Sequence, residues 1–241
     1  MWIAAGGDLH LAPATKVAAL RAELRAAASA ADLVLLAGDL TGHGHPDEAT
    51  MLAEACADVG APVVCVLGNH DRRFDEGRAV AAALRGAGAH VLDPGSHVIS
   101  VEGVWVGVAG TTGAGGGFGA HGRMGMRGGA SDKRALQEAA AAAEGLDAAL
   151  GAIEHCAVRI VLMHYSPTVE TLVGERPHLW PALGSERLAG PIHQHRPDLV
   201  VHAHAHEGSP EGQLSGVPVL NVSASVIGRP LRLIDLPGPR R

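Results

Sequence analysis

Aromatic side chains and positive charge are both scarce in this sequence. It contains three tryptophans, two phenylalanines and one tyrosine among 241 residues, and its formal net charge at pH 7 is −6. Single-stranded nucleic acid stacks on aromatic rings, and a phosphate backbone or an anionic membrane attracts a basic surface. The two absences therefore argue against nucleic acid and membranes as partners.

Cysteine pairs and long apolar segments are also absent. The three cysteines, Cys56, Cys65 and Cys156, form no Cys-x-x-Cys motif, which is typical of reduced, buried thiols in a cytoplasmic protein. No run of 18 uncharged apolar residues is present to span a membrane. The first residues lack the basic and apolar regions of a signal peptide, so we expect a cytoplasmic location.

The N-terminal third of the chain predicts a parallel β-sheet. The composition is that of a globular protein, with 47% hydrophobic and 18% charged residues, and the length suits one α/β domain over residues 1–241. Three apolar segments, Trp2–Ala5, Asp32–Ala37 and Val63–Leu67, are separated by helical patterns and each ends at a glycine. This alternation is typical of βαβ units.

Polar residues follow each of these three strands. Asp8, Asp39 and Asn69 lie 31 and 30 residues apart, which is the length of one βαβ unit. Right-handed crossovers would lay the strands side by side, with the polar turns at the edge where α/β sheets bind ligands. Asp8 and His10 would point to the same side of an extended backbone, although Asp8 could equally cap a turn.

The middle of the chain predicts a β-meander, a glycine-rich loop and a long helix. The meander strands are His90–Leu92, His97–Val101 and Val104–Ala109. Gly110–Gly129 contains ten glycines, and we expect either a functional loop or a disordered one. Asp132 is expected to cap a helix that reaches about as far as Cys156.

The last third places histidines at the ends of strands. Strands predicted at Arg159–Met163 and Asp198–Val201 lead into four histidines, His164, His202, His204 and His206. If the second stretch stays extended, three of the four imidazoles share one face, which is a metal-ligand spacing rather than a core pattern. Two closing strands are predicted at Pro218–Val222 and Leu231–Leu236.

The third strand delivers an amide, an imidazole and a carboxylate in one turn, from Asn69, His70 and Asp71. Taken alone, Gly68 and Asn69 could be a simple turn, with His70 and Asp71 as solvated loop residues. Taken together, the motifs Asp-x-His, Gly-Asp, Gly-Asn-His-Asp, a lone His and His-x-His resemble the calcineurin-like metallophosphoesterase superfamily. They occur in that family's order from Asp8 to His206.

The resemblance implies a fold and a set of metal ligands. The fold is an α/β sandwich of two packed mixed β-sheets flanked by helices, in four αββα layers. One metal ion would be held by Asp8, His10, Asp39 and His206. The second would be held by Asp39, Asn69, His164 and His204, with Asp39 bridging. Ligands with nitrogen and oxygen but no thiolate suit manganese, iron or zinc, so two divalent transition-metal ions are the expected cofactors.

The resemblance also implies an activity. A metal-bridging hydroxide would attack a phosphomonoester or phosphodiester of a small molecule, His70 would act as general acid, and Asp71 would position His70. A nuclease of the same superfamily and a non-catalytic scaffold that retains the fold are the alternatives. The sequence identifies neither the substrate nor the oligomeric state.

Two residues depart from the family pattern, and two loops could contribute to the site. Ala203 stands where the family usually has glycine, and we expect a small backbone adjustment there. His202 is an additional histidine, expected to be buried or to lie behind a ligand. Arg123 and Arg127 of the glycine-rich loop could contact phosphate, or the loop could be a solvated linker. Thr168–Leu183 is expected to be a surface loop near the site.

Overall fold

The N-terminal half of the chain contributes four of the five strands of one sheet. The computed structural model describes residues 1–11, 15–119 and 129–237. The strands of this first sheet are β1 (Trp2–Gly6), β2 (Leu33–Ala37), β3 (Val63–Val66), β4 (His90–Val91) and β11 (Arg232–Asp235), in the order β11-β1-β2-β3-β4. Strands β1 to β4 are parallel and β11 is antiparallel to β1. The predicted side-by-side arrangement of the first three strands is confirmed.

The second sheet has six strands. These are β5 (Gly95–Val101), β6 (Val104–Thr111), β7 (Val158–Met163), β8 (Leu199–His202), β9 (Glu211–Leu214) and β10 (Val217–Asn221), in the order β5-β6-β7-β8-β10-β9. Strands β6, β7, β8 and β10 run parallel, while β5 and β9 are antiparallel edge strands. A two-residue turn at Glu102 and Gly103, both with positive φ, joins β5 to β6 as expected for a hairpin.

The prediction of one meander from His90 to Ala109 is wrong, because the chain changes sheets within it. Strand β4 pairs with β3 in the first sheet, and β5 pairs with β6 in the second. The rings of His90 and His97 stack at this crossing with centroids 3.5 Å apart. Strand propensity identifies extended segments but does not identify their partners, so the crossing could not be read from the sequence.

The two sheets pack face to face and helices cover their outer faces. Side chains such as Ile3, Leu35, Val108 and Ile160 form the core between the sheets. Helices α1 (Thr15–Ala28), α2 (Pro46–Cys56) and α3 (Arg78–Gly86) cover the first sheet, and α4 (Ala130–Ala152) and α6 (Ala189–His195) cover the second. The layers are therefore helix, sheet, sheet and helix, which confirms the predicted fold class.

Two predicted segments differ in detail. Helix α4 begins after Gly129, so Asp132 lies in its first turn and is not its cap. The segment Thr168–Leu183 lies near the site and is largely exposed, as expected, but it buries Thr168, Thr171 and Leu172 and is not a simple loop. The chain after β7 forms 3₁₀ turns at Glu170–Leu172, Pro177–Leu179 and Glu186–Leu188 and the short helix α5 (Trp180–Leu183). Elements of three or four residues carry no periodicity that a sequence pattern could detect.

The other expectations concern the cysteines, membrane-spanning segments and the arginines of the glycine-rich loop. All three cysteines are buried and have free thiols. Helix α7 (Ala224–Ile227) precedes the closing strand β11. No helix within the described part of the chain is long and apolar enough to cross a membrane. The predicted phosphate contacts of Arg123 and Arg127 lie outside the described residues.

Candidate metal centre

The predicted ligands lie at the carboxyl ends of strands from both sheets. Two groups of side chains have their donor atoms within 4.8 Å of one another, Asp8 with His10 and His206, and Asp39 with His164 and His204. Asn69 Oδ1 is 3.1 Å from His164 Nε2, so the amide adjoins the second group. A third group of the same size contains His10, Asp39 and His70. The structure thus brings together all seven predicted ligands.

Several of these residues have an unusual backbone conformation. The φ angles of Asp8, His10, Asp39 and His204 are 54°, 44°, 49° and 70°, in the left-handed region that side chains other than glycine seldom adopt. The backbone at Asp8 and His10 is therefore not extended, although the two side chains converge as expected, and the stretch after His202 is not extended either. The turns themselves aim the side chains, at a cost in backbone strain.

Gly68 allows the turns after β2 and β3 to approach each other. A Cβ atom at this position would overlap Asp39 Oδ1. The same carboxylate oxygen accepts a hydrogen bond of 2.7 Å from the backbone N–H of His70. Glycine is therefore needed here because of a close approach, and that approach fixes Asp39 against the Asn69–His70 turn.

Backbone carbonyls orient two of the predicted ligands. His164 Nδ1 donates to Ala37 O at 2.9 Å, which leaves Nε2 facing Asp39 and Asn69. His204 Nε2 donates to Ala182 O at 3.2 Å, which leaves Nδ1 as its unprotonated nitrogen. Metal-binding histidines commonly use one ring nitrogen in this way and present the other to the metal.

Two buried polar atoms of the first group, Asp8 Oδ1 and His10 Nε2, have no hydrogen-bond partner among the described residues. The nearest basic atom to Asp8 Oδ1 is His206 Nε2 at 3.4 Å. Buried polar atoms are normally satisfied, so two unsatisfied atoms in one group of candidate ligands indicate a site for a ligand that both could bind. A divalent cation fits, because a carboxylate and imidazoles are suitable ligands for it.

The ionisable groups respond strongly to burial and to one another. Burial disfavours the charged form of His164, but the carboxylates of Asp39 and Asp8 outweigh it and raise its pKa to about 9. Burial and the neighbouring charge of His164 lower the pKa of His204 to about 3. Burial acts to raise the pKa of Asp39, yet His164 holds it below the usual value. Without a metal, the Asp39 carboxylate is thus ionised and His204 is neutral, as metal binding requires, whereas His164 is protonated and would have to release its proton to bind a metal.

His70 is held in a different way from the expectation. Its Nδ1 is 2.7 Å from Gly42 O and its Nε2 is 2.8 Å from an Nη atom of Arg73. Among the described residues, no hydrogen bond or ion pair joins the His70 ring to the Asp71 carboxylate. Asp71 is fully buried and accepts hydrogen bonds from the backbone N–H groups of Leu40, Thr41 and Gly68 and from the Thr41 hydroxyl. The expectation that Asp71 positions His70 directly is corrected, since Asp71 instead ties the turn after β3 to the turn after β2.

His202 lies behind the cluster, as expected for the additional histidine. It is fully buried, with Nδ1 2.7 Å from Ala203 O and Nε2 2.8 Å from Thr171 Oγ1. Both ring nitrogens are therefore occupied, and burial lowers the pKa of the ring to about 4. Sequence reasoning missed the contributions of Thr171 and Arg73, because neither residue belongs to a recognisable motif.

A cavity of about 830 Å³ adjoins the cluster on the side of Asn69. Tyr165, Thr112 and Ala182 line it together with Arg72, whose guanidinium is paired with Asp93. Cavities of this size accommodate a small organic molecule. The cluster thus has room beside it for a group much larger than phosphate.

The family model for calcineurin-like phosphoesterases matches residues 1–208. The chain belongs to this family. No curated protein matches the sequence. Calcineurin-like phosphoesterases hydrolyse phosphoric esters, and the side chains gathered here are of the kind that could bind divalent metals.

Solved structures show the same fold at low sequence identity. The protein TT1561 of Thermus thermophilus is 21% identical, with a TM-score of 0.63 and coverage of 98% of this chain and 99% of that one. The phosphopantetheinyl hydrolase PptH of Mycobacterium tuberculosis is 15% identical, with a TM-score of 0.70 and coverage of 99% and 97%. At these identities the likeness concerns the fold of a calcineurin-like phosphoesterase and not the substrate.

Proposed function

We propose that the protein is a dinuclear metal-dependent phosphoesterase that hydrolyses a phosphomonoester or phosphodiester of a small organic molecule. The observation that supports this most is the position of Asp39. Its carboxylate belongs both to the group with His164 and His204 and to the group with His10 and His70. One carboxylate within reach of two groups of ligands is what a pair of bridged ions requires.

The ligands would divide between two ions as the family resemblance implies. One ion would be held by Asp8, His10, Asp39 and His206, and the other by Asp39, Asn69, His164 and His204. When bound, two divalent ions activate water at neutral pH and neutralise charge on phosphoryl oxygens. Manganese, iron and zinc all suit this mixture of nitrogen and oxygen ligands.

The chain's own contribution to bond cleavage would come from His70. Its Nδ1 is committed to Gly42 O, so Nε2 is the nitrogen available to the substrate. Nε2 is also 3.9 Å from Asp39 Oδ2, at the edge of the cluster. Once it carries a proton, Nε2 can donate it to the leaving oxygen, as a general acid does. Asp71 would support this step indirectly by fixing the turn that carries His70.

The substrate would be a small phosphoester with an organic group that occupies the adjoining cavity. PptH, a neighbour in fold, is named for hydrolysis of a phosphopantetheinyl group, which is an organic phosphoester of this kind. A nuclease is the second candidate of the same superfamily, but the net charge of −6 opposes binding of a polyanion. A scaffold without metals is opposed by the presence of every expected ligand.

The test measures metal content and hydrolysis of p-nitrophenyl phosphate and bis-p-nitrophenyl phosphate together. Chelation should abolish activity and manganese should restore it. Asp39→Asn should lower activity by more than about 100-fold and should cause loss of bound metal. Substitution of a residue that only hydrogen-bonds to a metal ligand typically costs about 10- to 100-fold. Asp235→Asn makes the same chemical change on exposed β11 and should have no effect. Activity that survives thorough chelation would refute the proposal.

A further inference from the structure

Arg73 stands at the mouth of the cluster and is exposed to solvent. One of its terminal nitrogens, Nη2, is 2.8 Å from His70 Nε2. The His70 ring lies against the ring of His10, with centroids 4.5 Å apart, so the guanidinium is separated from the predicted ligands by one imidazole. The sequence motifs assign no role to this arginine.

The partners of His70 define which nitrogen carries its proton. A carbonyl oxygen only accepts hydrogen bonds, so Nδ1 donates to Gly42 O. A guanidinium only donates, so Nε2 accepts from Arg73 through its lone pair. In this arrangement Arg73 therefore covers the nitrogen that the proposed reaction needs. The guanidinium has to leave Nε2 before that nitrogen can face a leaving oxygen.

Most hydrogen-bond donors of the Arg73 guanidinium have no partner among the described residues. Among the described residues its side chain forms no ion pair, and its remaining nitrogens form no hydrogen bonds. The adjacent Arg72 differs, because its guanidinium is paired with Asp93 and the residue lines the cavity. Within the described part of the chain, Arg73 is thus a cation without a carboxylate partner beside the place where a phosphoryl group would bind.

We infer that Arg73 is a phosphate-binding residue. Its guanidinium leaves His70 Nε2 and binds the phosphoryl group of the substrate instead. The guanidinium donates to the non-bridging oxygens of the phosphoryl group and in doing so uncovers His70 Nε2. Arginine suits this role because its planar array of donors matches phosphate oxygens in pairs. The exchange involves hydrogen bonds alone and no covalent step. The inference rests on the proposed function, since it names a binding residue of that same site.

The test compares Arg73→Gln, Arg73→Lys and a control, Arg78→Gln, in manganese-loaded protein. Arg78 is exposed at the start of α3, and its side chain forms no hydrogen bond or ion pair in the described structure. The readouts are the inhibition constant of inorganic phosphate, the KM and kcat for p-nitrophenyl phosphate, and calorimetric binding of phosphate without turnover. Arg73→Gln should weaken phosphate binding by about 10- to 100-fold and raise KM in parallel. Arg73→Lys should restore part of the loss because it keeps the charge, and Arg78→Gln should match the wild type.

Each outcome decides between the possibilities. An active Arg73→Gln enzyme with the phosphate affinity of the wild type overturns the inference. Equal losses in Arg73→Gln and Arg78→Gln also overturn it, because they would reflect general surface charge. A wild-type protein that hydrolyses no ester but binds phosphate through Arg73 refutes the proposed function and supports the inference. The two can therefore fail separately.

Discussion

At the scale of single residues, the site depends on side chains that hold the loops as much as on those that face the substrate. Asp71 shows this most clearly. Its buried carboxylate accepts four hydrogen bonds from Leu40, Thr41 and Gly68, and burial nevertheless raises its pKa above the usual value. The donors it satisfies belong to the turns that carry Asp39 and Asn69. Its loss should therefore affect both folding and metal binding.

Asp71→Ala should lower the free energy of unfolding by about 3–5 kcal/mol, because it leaves several buried donors without acceptors. Urea unfolding followed by circular dichroism measures this directly. Asp32→Ala is the matched control, since Asp32 accepts one hydrogen bond from Trp2 N at an exposed position and should cost about 1 kcal/mol or less. Equal losses in the two variants would show that Asp71 does not clamp the turns.

The residue scale is also where prediction from sequence reaches a limit. The residue types and their order identify Asp8, Asp39 and His204 as candidate ligands. Their left-handed backbone conformations are invisible in a pattern, because they arise from the packing of one turn on another. The same is true of Arg73, whose importance comes from a contact of its side chain with His70 and not from a motif.

At the scale of elements, the sequence predicts strands well where each ends at a glycine and a polar turn. Strands β1, β2 and β3 are of this kind, and the βαβ spacing also gives their order. The partner of β4 was not predictable, because two extended segments separated by a short turn can pair together or belong to different sheets. What marks the crossing in the structure is the stacked pair His90 and His97.

The histidine pair should make this crossing sensitive to acid. Burial and the neighbouring charge of His90 lower the pKa of His97 below 6.5, so the folded protein favours the neutral ring and binds fewer protons than the unfolded chain. The resulting stabilisation is fully present above about pH 6.5 and is lost as the pH falls through the lower pKa of the folded state. The free energy of unfolding should therefore fall as the pH is lowered below about 6.5.

Measurement of this slope in His97→Gln tests the prediction, because the variant removes the titrating ring. Its unfolding free energy should depend less steeply on pH than that of the wild type, whatever its absolute stability. His155→Gln is the control, since His155 is exposed and should keep the wild-type slope. An unchanged slope in His97→Gln would mean that the crossing does not titrate.

At the scale of the whole molecule, the candidate metal centre lies across the seam between the two sheets. Asp8, Asp39 and Asn69 follow strands of the first sheet, while His164, His204 and His206 follow strands of the second. Each predicted ion would take ligands from both sheets. A bound metal should therefore hold together two layers that otherwise meet mainly through apolar side chains.

This arrangement predicts that metal binding stabilises the fold as well as enabling activity. A ligand that binds only the folded state adds about 2.7 kcal/mol to the free energy of unfolding at about 100 times its dissociation constant. Manganese should raise the urea midpoint with increasing concentration, and chelation should lower it with little change in m-value, since the surface exposed on unfolding stays similar. Asp39→Asn should abolish the dependence on manganese and Asp235→Asn should retain it. A midpoint that ignores both manganese and chelation would mean that the ligands do not join the sheets through a metal.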